Sequence, residues 1–125
     1  MTLRKHGAFS LPPRSLCDEL VDTYFERVAP IVPIINQNDF LKKYRDPENP
    51  PSILLLQAIL LAGSRASSTP SLMDVNGSPI PAASLFYHRA KALYNLGYEK
   101  DRITIIQALI LMGWHWEDPE VVTRE

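Results

Sequence analysis

Ser52-Ile53-Leu54-Leu55-Leu56-Gln57-Ala58-Ile59-Leu60-Leu61-Ala62 is a serine followed by ten residues of which only Gln57 is polar. The leucines and alanines favour helix, and a helix apolar on every side must be packed on several sides. Ser52 stands where a side-chain oxygen can accept the unpaired N–H groups of the first turn. A second stretch of the same character, Ile103-Thr104-Ile105-Ile106-Gln107-Ala108-Leu109-Ile110-Leu111-Met112, opens after Asp101 as its cap. Each is about half the roughly 20 apolar residues that cross a bilayer. The pair therefore predicts central helices of a water-soluble core.

Around them lie weaker, amphipathic segments. Ser15, with Asp18 three residues on, reads as a capping box. Leu16, Leu20, Val21, Tyr24, Phe25 and Val28 then recur at helical spacing until Pro30 ends the run. Residues 31–35, broken by Pro33, read as an extended apolar connector. A short helix follows, capped by Asn36 or Asn38, with Phe40, Leu41 and Tyr44 inward, and residues 46–51 turn. Gly63 and the Ser/Thr/Pro-rich residues 64–81 read as a long, flexible, exposed loop. Residues 82–96 form another amphipathic helix, with Leu85, Phe86, Ala90, Leu93 and Tyr94 inward and Gly97 as its stop. No alternating run bounded by hairpin turns calls for a strand.

The expected fold is all-α, built from packed antiparallel helix pairs: about five helices plus a truncated sixth. Residues 1–13 form an N-terminal extended segment, and residues 14–125 a partial helical domain. Ile53, Gln57-Ala58 and Gly63 match Ile103, Gln107-Ala108 and Gly113 at an offset of fifty, and Tyr44 matches Tyr94. The pattern fits either a repeated helix pair or two buried helices of similar make-up. At the far end, Asp118-Pro119 opens a helix that Val121 and Val122 begin to make amphipathic before Glu125 ends the chain. Two turns without packing are marginal, so the domain reads as incomplete.

Composition narrows the chemistry. A net charge of −1 excludes a protein built to coat nucleic acid or anionic lipid. Lys42, Lys43 and Arg45 are interleaved with Phe40, Leu41 and Tyr44 and ringed by Asp39, Asp46 and Glu48, which reads as a solvated helix face. The single cysteine, Cys17, cannot form an internal disulfide or a multi-thiolate zinc site, and fits a reducing, intracellular setting. His6, His88 and His115 have no metal-ligand spacing. Cys17 lies in a first helical turn, whose dipole lowers a thiol pKa, but Asp18 and Glu19 oppose that. No nucleophile elbow or phosphate-binding glycine loop is present. The chain is expected not to be an enzyme, with no catalytic, cofactor-binding or metal-binding residues. Four aromatic residues, Tyr87, Tyr98, Trp114 and Trp116, form the candidate partner or ligand surface. Gln57 and Gln107, set in apolar helices, need hydrogen-bond partners if buried, either each other or backbone.

Several segments together resemble a known family. Gly7-Ala8-Phe9-Ser10-Leu11-Pro12-Pro13, Asp22-Thr23-Tyr24-Phe25-Glu26-Arg27-Val28-Ala29-Pro30 and Val32-Pro33-Ile34-Ile35 resemble the opening of the fungal-specific transcription factor domain. This is the middle homology region of zinc-cluster (two-zinc, six-cysteine) regulators. Phe40-Leu41-Lys42-Lys43-Tyr44, Leu55-Leu56-Gln57-Ala58-Ile59, Ala62-Gly63-Ser64-Arg65 and Phe86-Tyr87-His88-Arg89-Ala90-Lys91-Ala92-Leu93-Tyr94 continue it, as does the run from Asp101 to Trp114. Within the family the resemblance runs towards the cutinase and fatty-acid-responsive regulators.

The resemblance implies a helical regulatory domain of a nuclear protein, acting in transcription regulation through protein or effector contacts. The expected partners are other regulatory domains or the transcription machinery, without membrane, and self-association is expected of uncovered apolar faces. The six cysteines of the zinc cluster are absent, so no zinc cofactor and no direct DNA contact fall on this segment. DNA would be reached only through a separate zinc-cluster module. The alternative is a free-standing helical adaptor or an apolar-ligand-binding domain.

Overall fold

The computed structural model describes residues 11–73 and 75–113. Among them are five α-helices and no strand, the all-α class expected from the sequence. They are α1 (Arg14–Thr23), α2 (Gln37–Tyr44), α3 (Ile53–Ala66), α4 (Ile80–Asn95) and α5 (Arg102–Met112). A π-helical turn, Tyr24–Val28, extends α1, and a short 3-10 turn, Pro70–Leu72, precedes α4.

Helix α3 is the centre. Every residue from Leu54 to Ser64 is buried, and α1, the π-helical turn, α4 and α5 all pack against it. Ser52 caps it by accepting the N–H of Leu55 at 3.3 Å. The helix does not stop at Gly63 as the sequence suggested, because Gly63 is where α1 and α3 come closest. A Cβ at Gly63 would lie 2.4 Å from the carbonyl oxygen of Leu20. Glycine here allows two backbones to touch.

The segment after α3 is correspondingly less free than a Ser/Thr/Pro-rich loop implies. Residues 64–66 are helical, Ser64 is fully buried, and Ser67 and Leu72 are buried too. The Ser67 hydroxyl accepts the N–H of Thr69, whose own hydroxyl donates to Glu19 of α1. The polar residues that read as loop formers turn their side chains back to hold the segment on the helices.

Helix α1 opens one residue before the expected cap. The Pro13 carbonyl accepts the N–H groups of Leu16 and Cys17 at 2.9 and 3.0 Å, which places Ser15 inside the helix and makes no capping box. At its far end the π-helical turn changes the phase, so that the successive residues Tyr24 and Phe25 are both buried, their rings edge-on at 4.9 Å. The Tyr24 hydroxyl is buried with no hydrogen-bond partner among the described residues, and burial pushes its pKa up to about 12.

Of the alternative caps for α2, Asn36 is the one used, accepting the N–H of Asp39 at 3.0 Å. Helix α4 buries Ala83, Phe86, Ala90 and Leu93. Leu85 and Tyr94, expected inward, are 48% and 42% exposed, so the buried stripe lies a residue away from them. Gly97, at φ +66°, ends the segment in the left-handed region, as expected. Asp101 caps α5 by accepting the N–H of Thr104 at 3.0 Å.

Positions fifty apart do not play equivalent parts. Gln57 is fully buried in α3, whereas Gln107 is half-buried and its Nε2 donates to the carbonyl of Ile34 at 2.9 Å, tying the 31–35 connector to α5. Gly63 is a mid-helix contact and Gly113 a helix terminus. The predicted helix at Asp118-Pro119 lies outside the described residues.

Candidate functional site

A cleft of about 530 Å³ lies between the start of α1, the turn into α3 and the residues after α4. Leu11, Pro12, Pro50, Pro51, Ile53, Leu56 and Tyr98 give it apolar walls, and Arg14, Ser52 and Glu99 supply polar edges. The prolines serve a local purpose here. They keep the chain out of helix at 12–13 and 50–51, so two extended segments can flank the mouth.

One wall is an organised polar cluster. The Tyr44 hydroxyl donates to Asp18 Oδ1 at 2.6 Å, and Arg14 Nε donates to the same oxygen at 3.0 Å. Arg14 Nη2 also donates to the Tyr44 carbonyl at 3.3 Å, and the guanidinium sits 4.3 Å from the Tyr44 ring centre. The Tyr44 hydrogen bond, with help from Arg14, holds the Asp18 carboxyl below its ordinary pKa. Burial, followed by that same bond, pushes the Tyr44 phenol upward. Arginine, carboxylate and phenol are thus committed to one another, fastening α2 to α1 beside the cleft.

Cys17 also lines the cleft, but it is 3% exposed and its Sγ donates to the Pro12 carbonyl at 3.4 Å. Burial raises its pKa, outweighing the opposing charge of Arg14. The thiol stays protonated at neutral pH and is a poor nucleophile. Among the described residues no three of His, Cys, Asp and Glu are grouped to hold a metal ion. With one cysteine in the chain, these residues do not fit a zinc cluster.

Of the four aromatic residues singled out from the sequence, Tyr98 lines the cleft. Tyr87 does not. It is half-buried on α4, with the His88 ring 5.5 Å from its own and Lys91 Nζ 5.9 Å from its ring centre. Trp114 and Trp116 lie outside the described residues. Sequence reasoning missed Arg14, Tyr44 and the Leu11-Pro12 wall, because Tyr44 reaches Asp18 across 26 positions and no local pattern encodes that pairing. Lys42, Lys43 and Arg45 are exposed on α2 as expected.

A second exposed feature is the outer side of α5. Ile103, Ile106, Leu109 and Ile110 are 68%, 55%, 38% and 39% exposed, while Ala108, Leu111 and Met112 face the core. No helix among the described residues is long and apolar enough to cross a membrane.

Comparison with known proteins places this architecture. Residues 21–119 match the fungal specific transcription factor domain. Over 122 residues the chain is 63% identical to cutinase transcription factor 1 alpha of Fusarium vanettenii, covering 98% of this chain and 13% of that protein. It is 40% identical over 115 residues to the acetamidase regulatory protein of Aspergillus fumigatus, covering 90% and 14%. Cutinase transcription factor 1 beta of Fusarium vanettenii is 34% identical over 122 residues, covering 94% and 14%. The chain thus spans about one seventh of the length of these relatives. No solved structure matches it. By the extent of the domain match and the identity to these regulators, the chain belongs to the fungal-specific transcription factor domain family.

Proposed function

We propose that this chain is a regulatory portion of a fungal zinc-cluster transcription factor, acting in the nucleus on DNA-templated transcription without reading DNA itself. The observation that carries the proposal is 63% identity, across 98% of the chain, to a cutinase transcription factor. The site supports the same reading. Arg14, Asp18 and Tyr44 are committed to one another, Ser52 and Glu99 accept backbone N–H groups, burial raises the pKa of the thiol, and the walls are apolar, which favours contact surface over catalytic machinery. DNA recognition and zinc belong to a module outside this chain, and the working contacts here are to other regulatory domains or the transcription machinery. The 530 Å³ cleft favours an apolar effector as a second mode of control, since it falls within the usual size range of small-molecule sites.

Two measurements test this. Tethered to an unrelated DNA-binding domain, the chain should change output from a reporter carrying that domain's site, and substitutions at Tyr98 or Ile106 should reduce the change. On its own at moderate salt it should show no sequence-selective DNA binding. Tight selective binding, or a tethered chain without effect on the reporter, overturns the proposal.

A further inference from the structure

The Ser/Thr/Pro-rich run holds two hydroxyl residues followed directly by proline, Thr69-Pro70 and Ser78-Pro79, the only such pairs in the chain. A residue before proline is driven to extended backbone, and Thr69 has φ −66° and ψ 122°. Ser68 and Pro70 on either side are exposed, and Thr69 itself is half-buried.

Thr69 is also the fastening of its segment. Its hydroxyl donates to Glu19 Oε1 of α1, 50 positions away, and accepts from the Ser67 hydroxyl at 2.9 Å. Ser67 Oγ accepts the Thr69 N–H at 3.0 Å, and the Thr69 carbonyl accepts the N–H of Leu72 at 3.1 Å. Leu72 is buried in the core. One hydroxyl thus ties to α1 a strap, residues 67–72, that carries Leu72 onto the core.

The tie depends on a donor facing a carboxylate. A phosphoryl group on the Thr69 hydroxyl removes the donor and sets about two negative charges against Glu19. Arg27 is already engaged with the Ala66 carbonyl at 3.1 Å, whereas Glu19 touches the modified oxygen itself. Ser78 is the opposite case. Its Oγ accepts the N–H of Ile80 at the start of α4, where the helix dipole favours added negative charge.

We propose that Thr69 is a phosphorylation site that releases the 67–72 strap, modified by a protein kinase that selects proline after its acceptor. Proline suits such a kinase because it brings no N–H that needs a partner. Thr69 becomes available when the strap opens locally, and modification then keeps it open. Thr69 Oγ1 attacks the γ-phosphorus of a nucleoside triphosphate and the bond to the β,γ-bridging oxygen breaks. The diphosphate leaves, and the hydroxyl proton passes to the kinase's base. Opening uncovers Leu72 and the apolar surface beneath it. The inference rests on the strap's own contacts and does not depend on the regulatory reading.

The whole chain is incubated with MgATP and a kinase of that class, and phosphate is mapped by peptide mass spectrometry. Thr69 should carry it. Hydrogen exchange in peptides spanning residues 67–73 should then quicken about tenfold, while far-UV circular dichroism keeps its helical signal. Thr69→Glu should quicken exchange in the same way, and Thr69→Val, which loses the hydroxyl without adding charge, much less. Glu19→Gln should remove most of the difference between those two variants. An unmodified Thr69, or phosphate confined to Ser78, overturns the proposal. So does phosphorylated Thr69 with exchange unchanged or slowed, the last meaning that Arg27 has captured the phosphate.

Discussion

Gly63 and Gly97 are both glycines that read as helix stops, and they do different things. Gly97 adopts φ +66°, where a side chain is strained, and ends the segment after α4. Gly63 has ordinary helical geometry, and its role comes from the Leu20 carbonyl, 2.4 Å from where a Cβ would be. Because that obstacle is backbone, no side-chain rotation relieves it. Gly63→Ala should therefore destabilise the chain by about 1–3 kcal/mol, the usual cost of overpacking. A shift of the urea midpoint to lower concentration at unchanged slope checks this, and an unchanged midpoint would show that α1 and α3 are not held in contact. A local pattern gives a glycine's permissiveness but not its neighbour 43 positions away.

Among the elements, helix starts separate what was legible from what was not. Ser52, Asn36 and Asp101 each accept a backbone N–H three residues on, a relation contained within four consecutive residues. Ser15 has the same local signature, yet Pro13, with its preset backbone, begins the helix earlier and leaves Ser15 uncapping. Accordingly Asp101→Ala and Ser52→Ala should each cost about 1 kcal/mol in thermal or chemical unfolding. Ser15→Ala should stay within about 0.5 kcal/mol, as at an ordinary surface position. A loss at Ser15 equal to that at Ser52 would mean α1 starts at the serine. The buried stripe of α4 was legible at Phe86, Ala90 and Leu93, while Leu85 and Tyr94 flank it on the exposed side. With apolar residues at both 85 and 86 and at both 93 and 94, periodicity locates the stripe only to within a residue.

For the molecule as a whole, α3 and α5 have nearly the same composition and opposite environments. Helix α3 is covered on all sides, whereas α5 exposes Ile103, Ile106 and Ile110, spaced as one stripe along its outer side. A contiguous apolar stripe of that kind drives association in water. The isolated chain should therefore self-associate in light scattering at micromolar concentration. Ile103→Lys combined with Ile106→Glu should shift it towards monomer without loss of helical signal. A monodisperse wild-type monomer would sink this expectation.

The sequence by itself determined the all-α class, the positions of the helices, three of their caps and the family. These rest on relations between residues three or four apart, or on the order of motifs along the chain. Tertiary structure decided which apolar helix becomes the centre, why Gly63 is glycine, and how Arg14, Asp18 and Tyr44 meet. It also decided that Tyr98 lines a cleft that Tyr87 does not share. Those outcomes depend on contacts between residues tens of positions apart, and only packing chooses among the arrangements that the same local patterns permit.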